Sequence, residues 1–368
     1  MLIHSSNDLY GASKILILIV EVLIKSGYSV HLILPQKGPL NFHKSLKKVN
    51  ISIINIGVFR KKYFNFFGLL NIFFFIIKST FQIIKIINKN NIDLVYTNTS
   101  TVVSPTFAAY FLKIPSIFHV HEIPFGSKIY VRFLINIFNR FSAKIIAVSA
   151  STKEFWITKG VNKEKIIVVH NGFDYNFSLI KKLCDKKIVF TCISRIIPYK
   201  GHIFLIELFR EILKKRNDIE LHVVGDTLPY YNKYFKKLKS IVSNYNLEQK
   251  IIFLGFKNDV RTLLKKSNYL IHTPITPDPL PTVIFEAIET NTPVIFTNNG
   301  GAKEILDDCK NGLKIDSTNI EKSAQLILDY IIDINLQINN TKDSIKFISK
   351  KFNKKIFSKK LKSLISNL

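Results

Sequence analysis

The stretch Ile188-Val189-Phe190-Thr191-Cys192-Ile193-Ser194-Arg195-Ile196-Ile197-Pro198-Tyr199-Lys200-Gly201 changes character halfway along. Its first six residues are almost continuously apolar and rich in β-branched side chains. Its last eight hold two cations, a proline and a closing glycine, and a helical pattern begins at once. A short apolar run of this kind reads as a strand of a parallel sheet buried on both faces. Followed by a polar loop and a helix, it is the opening of a βαβ unit.

Working outward, the same unit recurs along the chain. On the N-terminal side, strands are expected at Leu2–Ser5, Ser29–Leu34, Ser52–Ile56, Leu94–Tyr96, Ile117–His121, Lys144–Val148 and Ile166–Val169. Helical patterns lie between them, such as Ser13–Ser26, which Gly27 stops. A break follows at His170-Asn171-Gly172-Phe173-Asp174, and a polar, Lys-rich stretch leads to Lys187. After Ile188–Ile193, strands are expected at Ile219–Val224, Ile251–Leu254, Tyr269–His272, Val294–Thr297 and Leu313–Ile315. The fold class is therefore α/β, with two doubly wound domains and a cleft between them. The boundaries expected are 1–172 for the first domain and 173–341 for the second. A basic amphipathic helix over 342–368 follows, expected to pack back toward the first domain.

Composition narrows the functional classes. The 368 residues carry 53 Lys plus Arg against 26 Asp plus Glu, a formal charge of +27, and only seven of the cations are Arg. The charge is spread evenly: residues 1–180 hold 21 basic and 7 acidic side chains, residues 181–368 hold 32 and 19. Scattered Lys with few Arg argues against nucleic-acid reading, which uses Arg forks and aromatic platforms. It fits either a plain solvated surface or attraction to anionic lipid. Cys184, Cys192 and Cys309 have neither disulfide nor zinc-site spacing, so a reducing cytosol is expected. The first residues, Met1-Leu2-Ile3-His4-Ser5-Ser6, lack the basic start of a secretory signal.

No uninterrupted apolar run reaches the length of a spanning helix. Tyr63–Ile77, however, is rich in Phe and flanked by Arg60, Lys61, Lys62 and Lys78. That pattern suits a helix lying in a membrane interface and equally one buried against the first sheet. The location expected is cytoplasmic, peripheral on the inner face of the plasma membrane.

The candidate chemistry sits at strand ends of the second half. In open α/β sheets ligands bind outside the carboxyl ends of the strands, where the Ser194–Gly201 loop falls. Arg195 and Lys200 there suit a diphosphate, one as a planar fork and one as a point charge, or they are simply solvated. The run His272-Thr273-Pro274-Ile275-Thr276-Pro277-Asp278-Pro279-Leu280-Pro281-Thr282-Val283-Ile284-Phe285-Glu286-Ala287 again joins a strand to a helix. Pro281 suits the first helical turn, which leaves the amides of Thr282 and Val283 for an anion. Asp278 and Glu286 are placed to accept hydrogen bonds from sugar hydroxyls; otherwise Asp278 caps the helix and Glu286 faces solvent. Asn299-Gly300-Gly301-Ala302-Lys303-Glu304 is a glycine turn at the next strand end.

Together these features resemble the retaining glycosyltransferases of family 4, which have the two-Rossmann-domain GT-B fold. The resemblance spans nearly the whole chain. It rests on Leu9-Tyr10-Gly11-Ala12-Ser13 after the first strand, His121-Glu122, Ala147-Val148-Ser149 and Asn171-Gly172-Phe173-Asp174. It continues with the Arg195…Lys200-Gly201 loop and the carboxylates Asp278 and Glu286, separated by seven residues. The resemblance implies that Arg195 and Lys200 bind a donor diphosphate, Glu286 holds the nucleotide ribose and Asp278 touches the donor sugar. Gly11 would let the first loop close on the diphosphate, and His121 would serve the reacting centre and the acceptor. Leu280, Thr282 and Val283 complete the donor set.

The chain departs from the family pattern in three places. Asp278 stands where Glu is usual, Pro281 where Gly is common, and Tyr10-Gly11 where a Gly pair is frequent. There is no Asp-x-Asp, so no divalent metal and no cofactor is expected. The activity implied is transfer of a hexose from a nucleotide sugar to a lipid-linked saccharide, with retention, in surface-polysaccharide (O-antigen type) assembly. A sugar-nucleotide epimerase on the same fold, or an inactive scaffold in a membrane assembly, are the alternatives. A dehydrogenase is disfavoured because the first loop lacks G-x-G-x-x-G.

Overall fold

The computed structural model describes residues 1–59, 65–124, 127–175, 177, 187–306 and 312–368, with backbone alone at 66, 334–337 and 339–342. Arg60–Tyr63, Cys184 and Cys309 lie outside the described residues. The chain divides into two units, Met1–Phe173 with Phe352–Leu368, and Asp174–Lys351.

The first unit runs β1 (Leu2–Ile3), α1 (Gly11–Lys25), β2 (His31–Leu34), β3 (Asn50–Ile53), α2 (Phe66–Lys89), β4 (Val95–Thr97) and α3 (Ser104–Phe111). It continues with β5 (Ser116–Val120), α4 (Lys128–Phe141), β6 (Lys144–Ala147), α5 (Ala150–Thr158) and β7 (Ile166–Val168). The seven strands form one parallel sheet in the order β3-β2-β1-β4-β5-β6-β7. Parallel pairing buries both faces, which explains the unbroken apolar strands. One face packs on α1 through Ile15, Leu16, Ile19 and Val20. The other packs on α2 to α5, through Ile76, Val103, Leu134, Phe138 and Trp156.

The second unit runs β8 (Ile188–Ile193), α6 (His202–Leu213), β9 (Ile219–Val224), α7 (Asn232–Asn244), β10 (Ile251–Gly255), α8 (Val260–Lys266) and β11 (Tyr269–His272). Then come α9 (Thr282–Glu289), β12 (Val294–Thr297), α10 (Gly301–Leu306), β13 (Gly312–Ile315), α11 (Ile320–Tyr330) and α12 (Ile334–Lys351). Its six strands are parallel in the order β10-β9-β8-β11-β12-β13. Both sheets therefore reverse their winding once, between β1 and β4 and between β8 and β11. The crevice at such a switch point is where this architecture binds ligands.

The single helix expected over 342–368 is instead two. After α12, Phe352-Asn353 breaks the helix, and α13 (Lys354–Ser366) begins with the Asn353 side chain accepting from the Ile356 amide at 2.9 Å. The break returns the chain to the first unit. Phe173 donates its amide to Phe352 O at 2.9 Å, and Phe357, Leu361 and Ile365 join the core around α1. Lys354 pairs with Glu21 of α1 at 2.8 Å.

Candidate functional site

In the second unit, three loops meet at the carboxyl ends of β8, β11 and β12. The loop after β8 is tied to the loop after β11 by the Ile275 amide, which donates to Tyr199 O at 3.1 Å. The loop after β11 is tied to β12 and its loop by Thr297 Oγ1 and Asn299 Nδ2, which donate to Pro274 O at 2.7 and 2.8 Å. The Gly301 amide donates to Asp278 O at 2.7 Å. Two glycines make this closeness possible. Gly201, at φ +73°, would place a Cβ 2.0 Å from Thr273 O, and Gly300, at φ +83°, would place one 2.2 Å from Asp278 O. Only a residue without Cβ fits such a backbone in such a space.

This junction brings Lys200 and Asp278 together, although 78 residues separate them. The Lys200 ammonium forms an ion pair with Asp278 Oδ2, and His272 Nε2 stands 3.2 Å from the same oxygen. Asp278 is nearly buried. Burial alone would raise its carboxyl, but the Lys200 charge and the contact with His272 hold it well below the usual carboxylate range. His272 is itself lowered, first by burial and against the pull of Asp278, so it is neutral near pH 7. Beneath Lys200, His202 opens α6 with Nε2 3.2 Å from Ser194 Oγ, and burial depresses it to about 4. The junction thus holds one ammonium, one carboxylate and two neutral imidazoles.

Arg195 is half-buried on the same loop as Lys200. Leu280 is buried, Thr282 and Val283 open α9, and Glu286 is partly exposed one turn further on. Two details of the sequence reading change. Pro281 is the N-cap of α9, one residue before its first turn, and no side chain caps that helix, so Asp278 is not a cap. The Lys200 charge is engaged by Asp278, which spacing alone did not suggest. Among the described residues no group of three or more His, Cys, Asp or Glu is arranged to hold a metal ion. Cys192 is buried in β8, with burial pushing its thiol up to about 12, so it is no nucleophile.

The first unit has its own polar cluster at the β1/β4 switch point. His121, just past β5, lies with Nε2 2.8 Å from Asn98 Oδ1, and its ring is tilted against that of His119, with centroids 4.2 Å apart. Since the amide oxygen only accepts, Nε2 carries the proton. Asn98 Nδ2 donates to Ala12 O at 3.3 Å, and His4 Nδ1 stands 3.2 Å from Asn98 O. His119 Nδ1 meets Tyr96 OH at 2.9 Å. Burial depresses His4 to about 4 and His119 to about 3. It lowers His121 strongly as well, with His119 and His4 adding to the effect. Glu122 is held by Thr99 Oγ1 at 2.6 Å, the Ser100 amide at 3.0 Å and Ser100 Oγ at 2.9 Å. Gly11 opens α1 and is not among the glycines with positive φ. The sequence singles out His121-Glu122 in this cluster, and neither His4 nor Asn98. The signal available was the polar run Thr97–Thr101 at the end of a central strand.

Two family models match the chain along the same division. Residues 10–177 match the family model for Glycosyltransferase Family 4, and residues 178–352 match that for Glycosyl transferases group 1. An Escherichia coli UDP-Gal:alpha-D-GlcNAc-diphosphoundecaprenol alpha-1,3-galactosyltransferase is 23% identical over 366 residues, covering 92% of this chain and 89% of the relative. Among solved structures, Anabaena HepE in complex with UDP and glucose superposes with a TM-score of 0.83 at 23% identity, covering 100% of this chain and 99% of that one. Sucrose-phosphate synthase from Thermosynechococcus elongatus superposes with a TM-score of 0.80 at 15% identity, covering 100% and 98%. These likenesses establish the GT-B fold.

Proposed function

From a chain that belongs to the family 4 glycosyltransferases, we propose a hexosyltransferase that moves sugar from a nucleotide diphosphate donor to a lipid-linked saccharide, with retention, in surface-polysaccharide assembly. The observation that carries the donor side is the three-loop junction of the second unit, with Lys200, Asp278, Arg195 and Glu286 at a topological switch point. The lipid-linked acceptor is supported by the E. coli relative, whose acceptor is a diphosphoundecaprenol-linked sugar.

In this reading the acceptor hydroxyl attacks the anomeric carbon while the bond to the diphosphate oxygen breaks. The departing diphosphate takes up the hydroxyl proton on the same face of the sugar. Negative charge grows on the leaving group, and Arg195 and Lys200 stabilise it there without a bound metal. Glu286 accepts from the nucleotide ribose. Asp278 holds the Lys200 ammonium in place until the diphosphate arrives, and then accepts from a sugar hydroxyl. Neutral His121, oriented by Asn98, serves the acceptor.

The test is incubation of the full chain with a panel of nucleotide sugars, with and without a prenyl-diphosphate-linked saccharide. Transfer only when the acceptor is present, with the donor's anomeric configuration kept in the product, is the result expected. Conversion of a nucleotide sugar to its isomer without acceptor would favour the epimerase instead.

A further inference from the structure

We infer that Asp8, on the loop after β1, is a positioning residue that acts on His121 through a buried chain of three side chains, Ser13, His4 and Asn98. What His121 does for the acceptor rests on the transfer reading above; the chain itself rests on geometry.

Chemistry fixes the direction of each link. Asp8 Oδ1 accepts from the Ser13 hydroxyl at 2.7 Å and from the Tyr10 amide at 3.0 Å. Ser13 has one hydroxyl proton and the carboxylate takes it, so its oxygen is left to accept from His4 Nε2, 3.1 Å away. At the other end, the Ala12 carbonyl can only accept, which identifies the Asn98 atom 3.3 Å from it as Nδ2. The second proton of that nitrogen is left for His4 Nδ1 at 3.3 Å, and Asn98 Oδ1 accepts from His121 Nε2 at 2.8 Å. Donation thus runs one way, from His121 through Asn98, His4 and Ser13 to a carboxylate.

His4 is the one member with a choice. Its Nδ1 also stands 3.2 Å from Asn98 O, and Ser6 Oγ stands 3.3 Å from its Nε2. A proton on Nδ1 would donate to that carbonyl, but it would also meet the Asn98 amide donor to donor. Burial depresses His4 to about 4, so near pH 7 the ring is neutral and carries a single proton. By taking the Ser13 proton, Asp8 places that single proton on Nε2. His4, Ser13 and Asn98 are each at most 1% exposed, so solvent does not enter the choice.

Hydrogen bonds in a row polarise one another where the dielectric is low. The negative charge of Asp8 therefore strengthens donation by His121 Nε2 and leaves His121 Nδ1 a better acceptor for a hydroxyl. The same chain grips the first loop on both sides of Gly11, through the Tyr10 amide on Asp8 and the Ala12 carbonyl on Asn98. Loop and histidine are thereby held in one arrangement.

The test is two-bond NMR of the full chain carrying nitrogen-labelled histidine, which reads the tautomer of each neutral imidazole and needs no sugar substrate. The His4 signals are assigned by their loss in His4→Gln. Wild type is expected to carry the His4 proton on Nε2, and Ser13→Ala to move it to Nδ1, where Asn98 O accepts it and Ser6 donates to Nε2. In transfer assays Asp8→Asn, which keeps the size and removes the charge, should lower kcat about tenfold and change donor KM less than about twofold. That is less than the roughly 10²–10⁴ lost with a proton-handling group itself. A wild-type His4 proton on Nδ1, a Ser13→Ala variant that keeps it on Nε2, or a folded Asp8→Asn variant with near wild-type kcat would overturn the inference. Wild type with the Nε2 tautomer but no sugar transfer would count against the transfer reading and support the chain.

Discussion

The pairing of Lys200 with Asp278 changes what each residue does in the ligand-free protein. A lone Lys on a loop adopts many rotamers, and ordering it for a diphosphate costs side-chain entropy at binding. Asp278 bears part of that cost beforehand by holding the ammonium at the loop junction. The shorter Asp, where the family usually has Glu, is therefore no simple loss of reach. Asp278→Asn should lower turnover yet leave affinity for the free nucleotide diphosphate intact or improved, since a competing anion is gone. It should also destabilise the second unit by about 1–3 kcal/mol through the broken pair, visible as a lower Tm. Full turnover in the Asn variant would remove Asp278 from the site. Asn98 is the corresponding residue of the first unit: Asn98→Ala should release His121 and reduce kcat more than donor KM. Unchanged kcat would mean that the Asn98–His121 contact is structural only. Neither pairing is visible from spacing, because His121 is 23 residues from Asn98 and Lys200 is 78 from Asp278. The parallel sheets bring them together, by placing the ends of β4 and β5, and of β8 and β11, side by side.

At the scale of elements, the apolar runs carried almost everything. All thirteen strands of the described residues fall where short β-branched and apolar runs stand between helical patterns, because a strand buried on both faces has no polar alternation to blur it. Two helices read less well. The α2 pattern is apolar nearly all round, so composition could not say which stripe faces the sheet; the packing of Ile76, Ile83 and Ile87 decides it. The split between α12 and α13 follows from tertiary contacts of Phe352 and Phe357, and the Asn353 cap is its one local signal. The loops, by contrast, had a legible constraint in their glycines. Gly201→Ala would push a Cβ into the Thr273 carbonyl at a left-handed backbone position. It should destabilise the second unit by more than the roughly 1 kcal/mol that a compatible Gly-to-Ala change gains, and it should weaken the Lys200 site. The check is chemical denaturation beside Gly27→Ala, a left-handed position with open space around it. Equal losses for the two variants would contradict the close packing of the β8 and β11 loops.

For the whole molecule, five buried histidines set the response to acid. His4, His119 and His121 in the first unit and His202 and His272 in the second are all held neutral, chiefly by burial. An unfolded histidine takes up a proton near pH 6.5, whereas His4 and His202 in the fold resist it to about 4 and His119 to about 3. Below pH 6.5 the unfolded chain therefore binds more protons than the native one, so stability falls as pH falls. Each such group contributes a slope of up to about 1.4 kcal/mol per pH unit until its folded value is reached. Urea denaturation at pH 7 and pH 5 should show a clear loss at pH 5, and equal midpoints would mean that these imidazoles are not buried as a set. Steady-state turnover of Lys200→Ala at saturating donor, with its fold verified by thermal melting, tests the assignment of the donor site most directly. A loss of roughly 10²–10³ in kcat, with a smaller loss of donor affinity, is the result predicted for a cation that stabilises a departing diphosphate. Near wild-type turnover in the folded variant would contradict it and move the diphosphate site away from the β8 loop.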